Sequence, residues 1–415
     1  MRTAAATGAC VRAVGSGHSF SDAVLTDGVL LDIGAMARIV DLDPDSGLVR
    51  VQGGITLGAL SRALWAQGLA MENLGDIDQQ SLAGATATAT HGTGARLQNL
   101  SAGLVSLQLV TAGGDTLEVS ADSDETAWRA ARVGIGALGI VTEVTLQAVP
   151  AFGLEGVDVG EPIEEVLSGL DERVEANDHF EFYVFPHTSV ALTRTNNRAD
   201  LPARVRGTRR AAVEAALFTN GAFGLSCRLA RARPSLIPSL NRLIARAGGT
   251  ESRRLDRSYR IFASPRKVRF TEMEYAVPRE HAVQAVRTVR AIAEDPRFDV
   301  PFPIEVRFVA GDDALLSPAT GRDTCYIAVH MYRGMAWEAY FGAVEAALSA
   351  LDGRPHWGKR HTQTAVTLAP RYPGWDEFQA VRARLDPDGQ FANAYVQRTL
   401  GPVGVPARVT AGTPG

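Results

Sequence analysis

Four short stretches of this 415-residue chain place side chains where they could do chemistry. The first is Gly15-Ser16-Gly17-His18-Ser19-Phe20-Ser21, directly after the strand-like run Val11–Val14. Small residues after a strand leave backbone N–H groups free to point at an anion, as a phosphate cradle requires. His18 adds a nucleophilic imidazole; a turn with a solvated histidine is the bland alternative. The second stretch runs from Gly75 to Gly94 and is almost wholly small or hydroxylated. Ser81, Thr86 and Thr88 offer hydroxyls, and Gly84 and Gly92 offer bare backbone. Such a run packs poorly as a core but well against a large polar ligand. A flexible linker is the competing reading, weakened by the absence of Pro, Lys and Glu. In the third, Ile304-Glu305-Val306-Arg307-Phe308, alternation puts Glu305 and Arg307 on one face, where they could orient a substrate hydroxyl and hold its ionised form. Alone, the pair reads first as a structural ion pair on a solvated strand. The fourth, His356-Trp357-Gly358-Lys359-Arg360-His361, gathers imidazole, indole and cations. It has no neighbouring carboxylate or cysteine, and no HExxH occurs, so no metal site is expected.

The elements that must position these groups are read from periodicity and punctuation. Residues 29–33, 48–52, 104–111, 116–119 and 140–149 read as strands, with helices over 59–67 and 125–132. Strands with scattered helices, rather than strict βαβ alternation, indicate α+β. After Pro150 a helix is expected over 163–176, an apolar strand over 180–185, and strands over 267–277, 304–310 and 325–331. Helices over 279–293 and 337–351 flank the last two. His330, alone on its apolar strand, reads as a core histidine rather than a catalyst, unless that strand's polar face lines the pocket. Met1–Gly8 reads as the last turn of a helix with a glycine stop. The chain is too long for one core, so two domains are expected. A formal charge of −4 gives no whole-chain reason for nucleic-acid binding. The three scattered cysteines without a CxxC pair, and the absence of a signal pattern or membrane-length apolar run, fit a cytoplasmic protein. Residues 201–260 carry thirteen arginines against three acids. This reads as a solvated helical face, with docking to anionic lipid at the inner face of the plasma membrane, or to an acidic redox partner, as the second reading.

Gly134-Ile135-Gly136-Ala137-Leu138-Gly139 matches G-x-G-x-x-G, which binds dinucleotides when it follows a strand and opens a helix. Here a helical pattern precedes it and a strand pattern follows, so a nicotinamide site is excluded. The glycines still let backbone approach a ligand closely. Two ligand-shaped loops without a nicotinamide fingerprint point to flavin. An imidazole at His18 can attach to an oxidised flavin's methyl position. A lysine such as Lys359 beside the flavin N1–C2=O region would stabilise the anionic reduced form.

The motifs VGSGHSFSD (14–22), GDIDQQSLAGATATATHGTG (75–94), FTEMEYAVPRE (270–280), EVRF (305–308), RPHWGK (354–359) and DPDGQFANAY (386–395), in this order, give the chain its family resemblance. It resembles the FAD-linked sugar-1,4-lactone oxidoreductases, the L-gulono-1,4-lactone dehydrogenase and D-arabinono-1,4-lactone oxidase family of vanillyl-alcohol-oxidase-like flavoproteins. The resemblance implies a two-domain α+β fold: an FAD-binding domain over 1–150, a cap or substrate domain over 151–385, a segment 386–402 returning to the FAD domain, and a disordered tail 403–415. It implies FAD contacts from Val14, Gly15, Ser16, Gly17, His18, Ser19, Phe20, Ser21, Asp76, Ser81, Gly84, Ala85, Thr88, Gly92 and Ile140, with a covalent bond through His18 and His356 near the flavin. Glu305, Arg307 and Lys359 match the catalytic cluster. The implied reaction is oxidation of an aldono-1,4-lactone at C2 to an ascorbate-type product. Members that act on open-chain alditols carry serine where Asp76 stands, so the aspartate implies lactones. An alditol oxidase and an inactive flavin-binding homologue are the alternatives. The implied acceptor is O2, a cytochrome or a quinone; Gly75, where a bulkier residue would screen the flavin, leans towards O2. Members begin with a further strand and helix, so the resemblance also implies a late-assigned start or a fragment, with weakened cofactor retention.

Overall fold

The computed structural model describes residues 1–201, 221–264 and 268–405. Two antiparallel sheets dominate it. The first has five strands in the order Ile39–Leu42, Leu48–Gln52, Ile140–Gln147, Leu104–Val110 and Thr116–Ser120. The second has eight, in the order Ser252–Arg257, Gly153–Pro162, Val190–Ala199, His179–Val184, Ile304–Val309, Thr324–Tyr332, Phe270–Pro278 and Arg354–Pro355. A short parallel pair, Val11–Val14 with Val29–Asp32, lies apart from both. The α+β expectation holds.

Alternation along four central strands of the larger sheet builds its core. Phe180, Phe182 and Val184, Ile304, Val306 and Phe308, Ile327, Val329 and Met331, and Met273, Tyr275 and Val277 share one buried face. Helix Ala282–Ala293 covers it with Ala282, Ala285, Val286, Val289 and Ala293, the spacing of one helical stripe. Helices Ile163–Ser168, Leu170–Ala176 and Glu338–Ser349 join the same core. The opposite face of those strands is therefore left to polar side chains, and there the candidate site lies. The first core unites the five-stranded sheet with helix Leu57–Ala66 and with residues from Trp357 onward, including Trp375, Phe378, Val381, Tyr395 and Leu400.

The helix ending at Gly8 is present as Arg2–Thr7, closed by Gly8 in the left-handed region at φ 66°. The stretch 75–94 departs from the loop reading, because Leu82–Ala87 forms a short helix. The hydroxyl of Thr86 donates to Leu82 O at 3.0 Å and that of Thr88 to Gly84 O at 3.1 Å, so neither proton is left for a ligand. Within the arginine-rich stretch, 202–220 lie outside the described residues. The rest forms helices Phe223–Ala232 and Ile237–Gly248 and the edge strand Ser252–Arg257. Residues 406–415 of the expected tail also lie outside the description. Among the described residues, no helix is long and apolar enough to cross a membrane.

Candidate active site

A cleft opens beside the first sheet. Residues 13–19 form one wall, Ser81, Ala83, Gly84, Ala85, Ala87 and Thr88 a second, and the glycine turn Gly134, Gly136 and Gly139 a third. The N–H groups of residues 15–19 make no hydrogen bond to the described protein, which leaves them available to an anion. The cleft has no room to lose: a Cβ on Gly15 would lie 1.9 Å from Ser81 Oγ. These observations fit an FAD held by backbone along its pyrophosphate. The glycine turn follows helix Ala121–Arg132 and precedes strand Ile140–Gln147, the reverse of a nicotinamide fold.

A second pocket adjoins the first. Its walls include Phe20, Asp76, His91, Glu272, Glu274, Glu305, Arg307, His330, His356 and Lys359. His18 borders both. Burial lowers the His18 pKa and so favours the neutral, nucleophilic imidazole. Gly358 ties the walls together. Its carbonyl accepts from Phe20 N–H at 2.7 Å, and a Cβ there would meet His356, Ser19 and Thr88 within 3.4 Å.

Sheet register explains how the charged groups meet. Glu181 stands directly opposite Arg307, Tyr183 opposite Glu305, and Glu272 opposite His330. Ala328, opposite both Glu305 and Glu274, leaves the floor between them open. Arg307 Nε donates to Glu181 Oε2 at 2.9 Å, while Nη2 touches Glu305 and Asp76 in ionic contact rather than aligned hydrogen bonds. The Tyr183 hydroxyl lies 3.0 Å from Glu181 and 3.4 Å from both Asp76 and Glu305. Burial, then Glu181 and Glu305, push the phenol pKa well up, so Tyr183 is a neutral donor. Burial would lower the pKa of Arg307, but Glu305 and Glu181 more than offset it and hold the guanidinium charged.

On the other side, Lys359 Nζ pairs with Glu272 Oε2 at 2.5 Å and lies 5.3 Å from the centre of the Phe20 ring. Burial opposes ionisation of Glu272, yet Lys359 and His330 hold its carboxyl down to about 2. His330 Nε2 lies 3.5 Å from Glu272 and 3.9 Å from Glu305, so this histidine faces the pocket rather than a dry core. His91 Nε2 meets Glu274 at 3.2 Å. His356 Nδ1 accepts from Gly358 N–H at 3.0 Å, which puts its ring proton on Nε2; burial holds its pKa down to about 3. His91, Glu274 and His356 lie close enough to suggest metal ligation, but Gly358 N–H occupies one imidazole lone pair and the carboxylate already pairs with His91. Asp76, Glu181 and Glu305 likewise converge, around the Arg307 guanidinium.

The sequence-selected residues thus divide. Val14 to Ser19, Ser81, Gly84, Ala85 and Thr88 line the glycine-walled cleft; Phe20, Asp76, His356, Glu305, Arg307 and Lys359 line the adjoining pocket. Ile140 lies off the cleft wall, packed with Val11, Ile33 and Phe391. Gly92 borders a small cavity behind Arg307, where a Cβ would meet Asn73 Oδ1 at 2.3 Å. Ser21 lines neither space. Gly75 has a packing reason, since a Cβ would lie 3.0 Å from His91 O, and so carries less weight as an open path for O2. Local sequence does not single out Glu181, Tyr183, His91, Glu272 or Glu274 as site residues. The signal for Glu181 is a carboxylate inside a strongly apolar strand, which needs a buried partner.

A family model described as FAD binding domain matches residues 1–120, and one described as D-arabinono-1,4-lactone oxidase matches residues 144–399. The chain is 53% identical to an L-gulono-1,4-lactone dehydrogenase of Mycobacterium tuberculosis over 96% of its length and 92% of the relative's. It is 34% identical to the L-gulonolactone oxidase of Bos taurus, covering 94% and 89%. It is 33% identical to an alditol oxidase of a Streptomyces species, covering 95% and 91%. Among solved structures, the cholesterol oxidase of Brevibacterium sterolicum superposes with a TM-score of 0.79 over 97% of this chain and 91% of that one. At 16% identity this likeness concerns the fold alone.

Proposed function

Because the chain belongs to the D-arabinono-1,4-lactone oxidase family, we propose that it is an FAD-dependent oxidoreductase acting on the C2 hydroxyl of an aldono-1,4-lactone. The observation that carries the reading is the adjacency of two spaces: a cleft walled by glycines and free N–H groups, and a pocket walled by Glu305, Arg307 and Lys359. In this reading the five-stranded sheet serves the cofactor and the eight-stranded sheet serves the substrate.

Bound FAD would supply a hydride acceptor at N5. Glu305 accepts the proton of the C2 hydroxyl, and Arg307 holds the oxygen as charge develops on it. Lys359, fixed by Glu272, places a positive charge beside the cofactor cleft. Backbone N–H groups of residues 15–19 hold the pyrophosphate. His18, neutral and shared between cleft and pocket, is the tether for a covalent bond. Asp76, in contact with Arg307, is the feature that favours a lactone over an open-chain alditol.

Glu305→Gln is expected to slow flavin reduction by about a hundredfold or more while FAD content stays the same, within the usual range for removing a general base. Equal reduction rates would rule out the role. Acid precipitation separates a covalent from a dissociable flavin: yellow colour in the pellet of the wild type, and not of His18→Ala, supports the tether. Mixing photoreduced enzyme with air-saturated buffer distinguishes O2 from a quinone or cytochrome as acceptor.

A further inference from the structure

Four adjacent strands of the larger sheet carry charges that face one another in register. Asp158 stands opposite Arg194, Arg194 opposite Glu181, and Glu181 opposite Arg307. The signs alternate, and every rung is a contact: Asp158 Oδ1 to Arg194 Nε at 2.5 Å, Arg194 Nη1 to Glu181 Oε1 at 3.2 Å, and Glu181 Oε2 to Arg307 Nε at 2.9 Å. Arg254 closes the outer end on Asp158 at 3.0 Å. The ladder runs from the half-exposed sheet edge to the wall of the pocket, where Glu181 is buried with only 4% of its surface exposed.

A buried carboxylate needs a reason. Replacing a buried ion pair by apolar residues is often neutral for stability, so the pair is weak evidence of a stabilising purpose. Here geometry supplies another purpose. The guanidinium is planar, and its Nε–H edge is held by Glu181, which directs Nη2 at Glu305 and Asp76. Three carboxylates therefore share one cation. Without Glu181, the whole charge of Arg307 would fall on Glu305 and Asp76, and a carboxylate held in a full ion pair is a poor proton acceptor.

We propose that Glu181 is a positioning residue for the oxidation, fixing the plane of the Arg307 guanidinium and taking up part of its charge so that Glu305 remains able to accept the substrate's hydroxyl proton. The inference rests on the reading of Glu305 as the base. In the step, the C2 O–H bond breaks and its proton goes to Glu305, while the C2–H hydrogen leaves with its electron pair to the flavin. Glu181 exchanges no atom. The other groups facing this cluster are Tyr183, His179, His330, Glu272, Glu274 and Lys359.

Glu181→Gln keeps the side chain's length and its acceptor for Arg307 Nε but removes the charge. A carboxylate oxygen of Glu181 lies within 4.8 Å of one of Glu305; at an effective dielectric of about 20, that charge alters proton affinity on the order of a hundredfold. The limiting rate of flavin reduction is expected to fall about tenfold, with the substrate's half-saturation concentration changed less than about threefold. The acid limb of the reduction rate should move about one to two pH units lower. Glu181→Asp, which keeps the charge, should retain the wild-type pH profile. Asp158→Asn, two rungs out and partly exposed, should move the limb the same way by a smaller amount, and tests the ladder should Glu181→Gln fail to fold. An unmoved profile in both Glu181→Gln and Asp158→Asn would overturn the proposal. So would equal losses in the Gln and Asp variants that track only their melting temperatures. Glu305→Gln is measured alongside. If it reduces normally, the reading of the base has failed; if it is impaired while Glu181→Gln is normal, only the role of Glu181 has.

Discussion

Arg12 offers the sharpest test of how the cofactor cleft is held together. It lies on the strand leading into the glycine cradle and is only 3% exposed. Its fork reaches four carbonyls: Nε to Ala23 at 2.8 Å, Nη1 to Gly136 at 2.8 Å and Phe391 at 2.7 Å, and Nη2 to Ile135 at 2.8 Å. One side chain thus clamps the cradle strand to the glycine turn and to the segment that follows the last long helix. Burial pulls its pKa down to about 10, which leaves it charged at neutral pH. Arg12→Lys keeps the charge but loses the fork, because an ammonium on a flexible stem cannot meet four divergent acceptors. Losing two to three charge-assisted bonds, at about 1.5–3 kcal/mol each and partly replaced by water, gives a destabilisation of about 3–5 kcal/mol. That is a large share of the roughly 5–15 kcal/mol by which domains are stable. The assay is thermal unfolding by tryptophan fluorescence, with flavin content measured on the same preparation. Expected is a melting temperature lower by about 5–10 °C and a loss of bound flavin, with the reduction rate per remaining flavin unchanged. A melting temperature within about 1 °C of the wild type, with full flavin content, would refute the clamp.

Two further outcomes follow from single distances and burials. Gly15→Ala should lower FAD affinity at least about tenfold because its Cβ would collide with Ser81 Oγ, and Gly15→Ala combined with Ser81→Gly should recover most of it; titration of the FAD-free protein reads both. Acid should destabilise the protein through its buried histidines. Burial first, then Arg398, holds the His361 pKa down to about 3, against an unfolded value near 6.5, so below that value the unfolded chain binds more protons and stability falls as pH drops towards 3. At pH 5 the loss is about 2 kcal/mol for His361, and His361→Gln should remove about that much of the difference between urea midpoints at pH 7 and pH 5.

What the sequence revealed depended on whether function lay in the backbone or between side chains. The cradle at 15–19 and the turn at 134–139 were legible because glycine and serine pack no core and leave only their backbone to act, and both segments line the cleft. Glu305 and Arg307 were legible as a same-face pair, but their meaning was not. Read locally they fit a solvated ion pair. Both are buried, and Glu181, which holds Arg307, lies 126 residues away along the chain, with Asp76 farther still. Sheet register, which brings Glu181 opposite Arg307 and Glu272 opposite His330, is a non-local property that no window of sequence contains. His330 shows the same limit: an apolar strand predicted a core histidine, and only the neighbouring strand's Glu272 reveals a polar face. The short helix at 82–87 escapes a local reading because glycine and threonine disfavour helix, a preference that tertiary packing outweighs.

The two kinds of wall also differ in how they tolerate change. A cradle of N–H groups is fixed by chain geometry, and its weak points are positions where any side chain intrudes, such as Gly15 and Gly358. The charged pocket is fixed by balance. Asp76, Glu181, Glu305, Glu272 and Glu274 face the permanent cations Arg307, Lys359 and Arg194, with His91 placed against Glu274 and His330 beside Glu272. Removing any one charge reassigns its partner to a neighbour, so the effects of two such changes should not add when they share a partner. Glu181→Gln and Asp76→Asn share Arg307. Combined, they should leave Glu305 as its main counter-ion and slow flavin reduction by more than the product of the single effects. Glu181→Gln and Glu272→Gln, which belong to different cations, should come close to that product. A multiplicative result for both pairs would mean that the three carboxylates around Arg307 act independently, and that the sharing of its charge is not what keeps Glu305 basic.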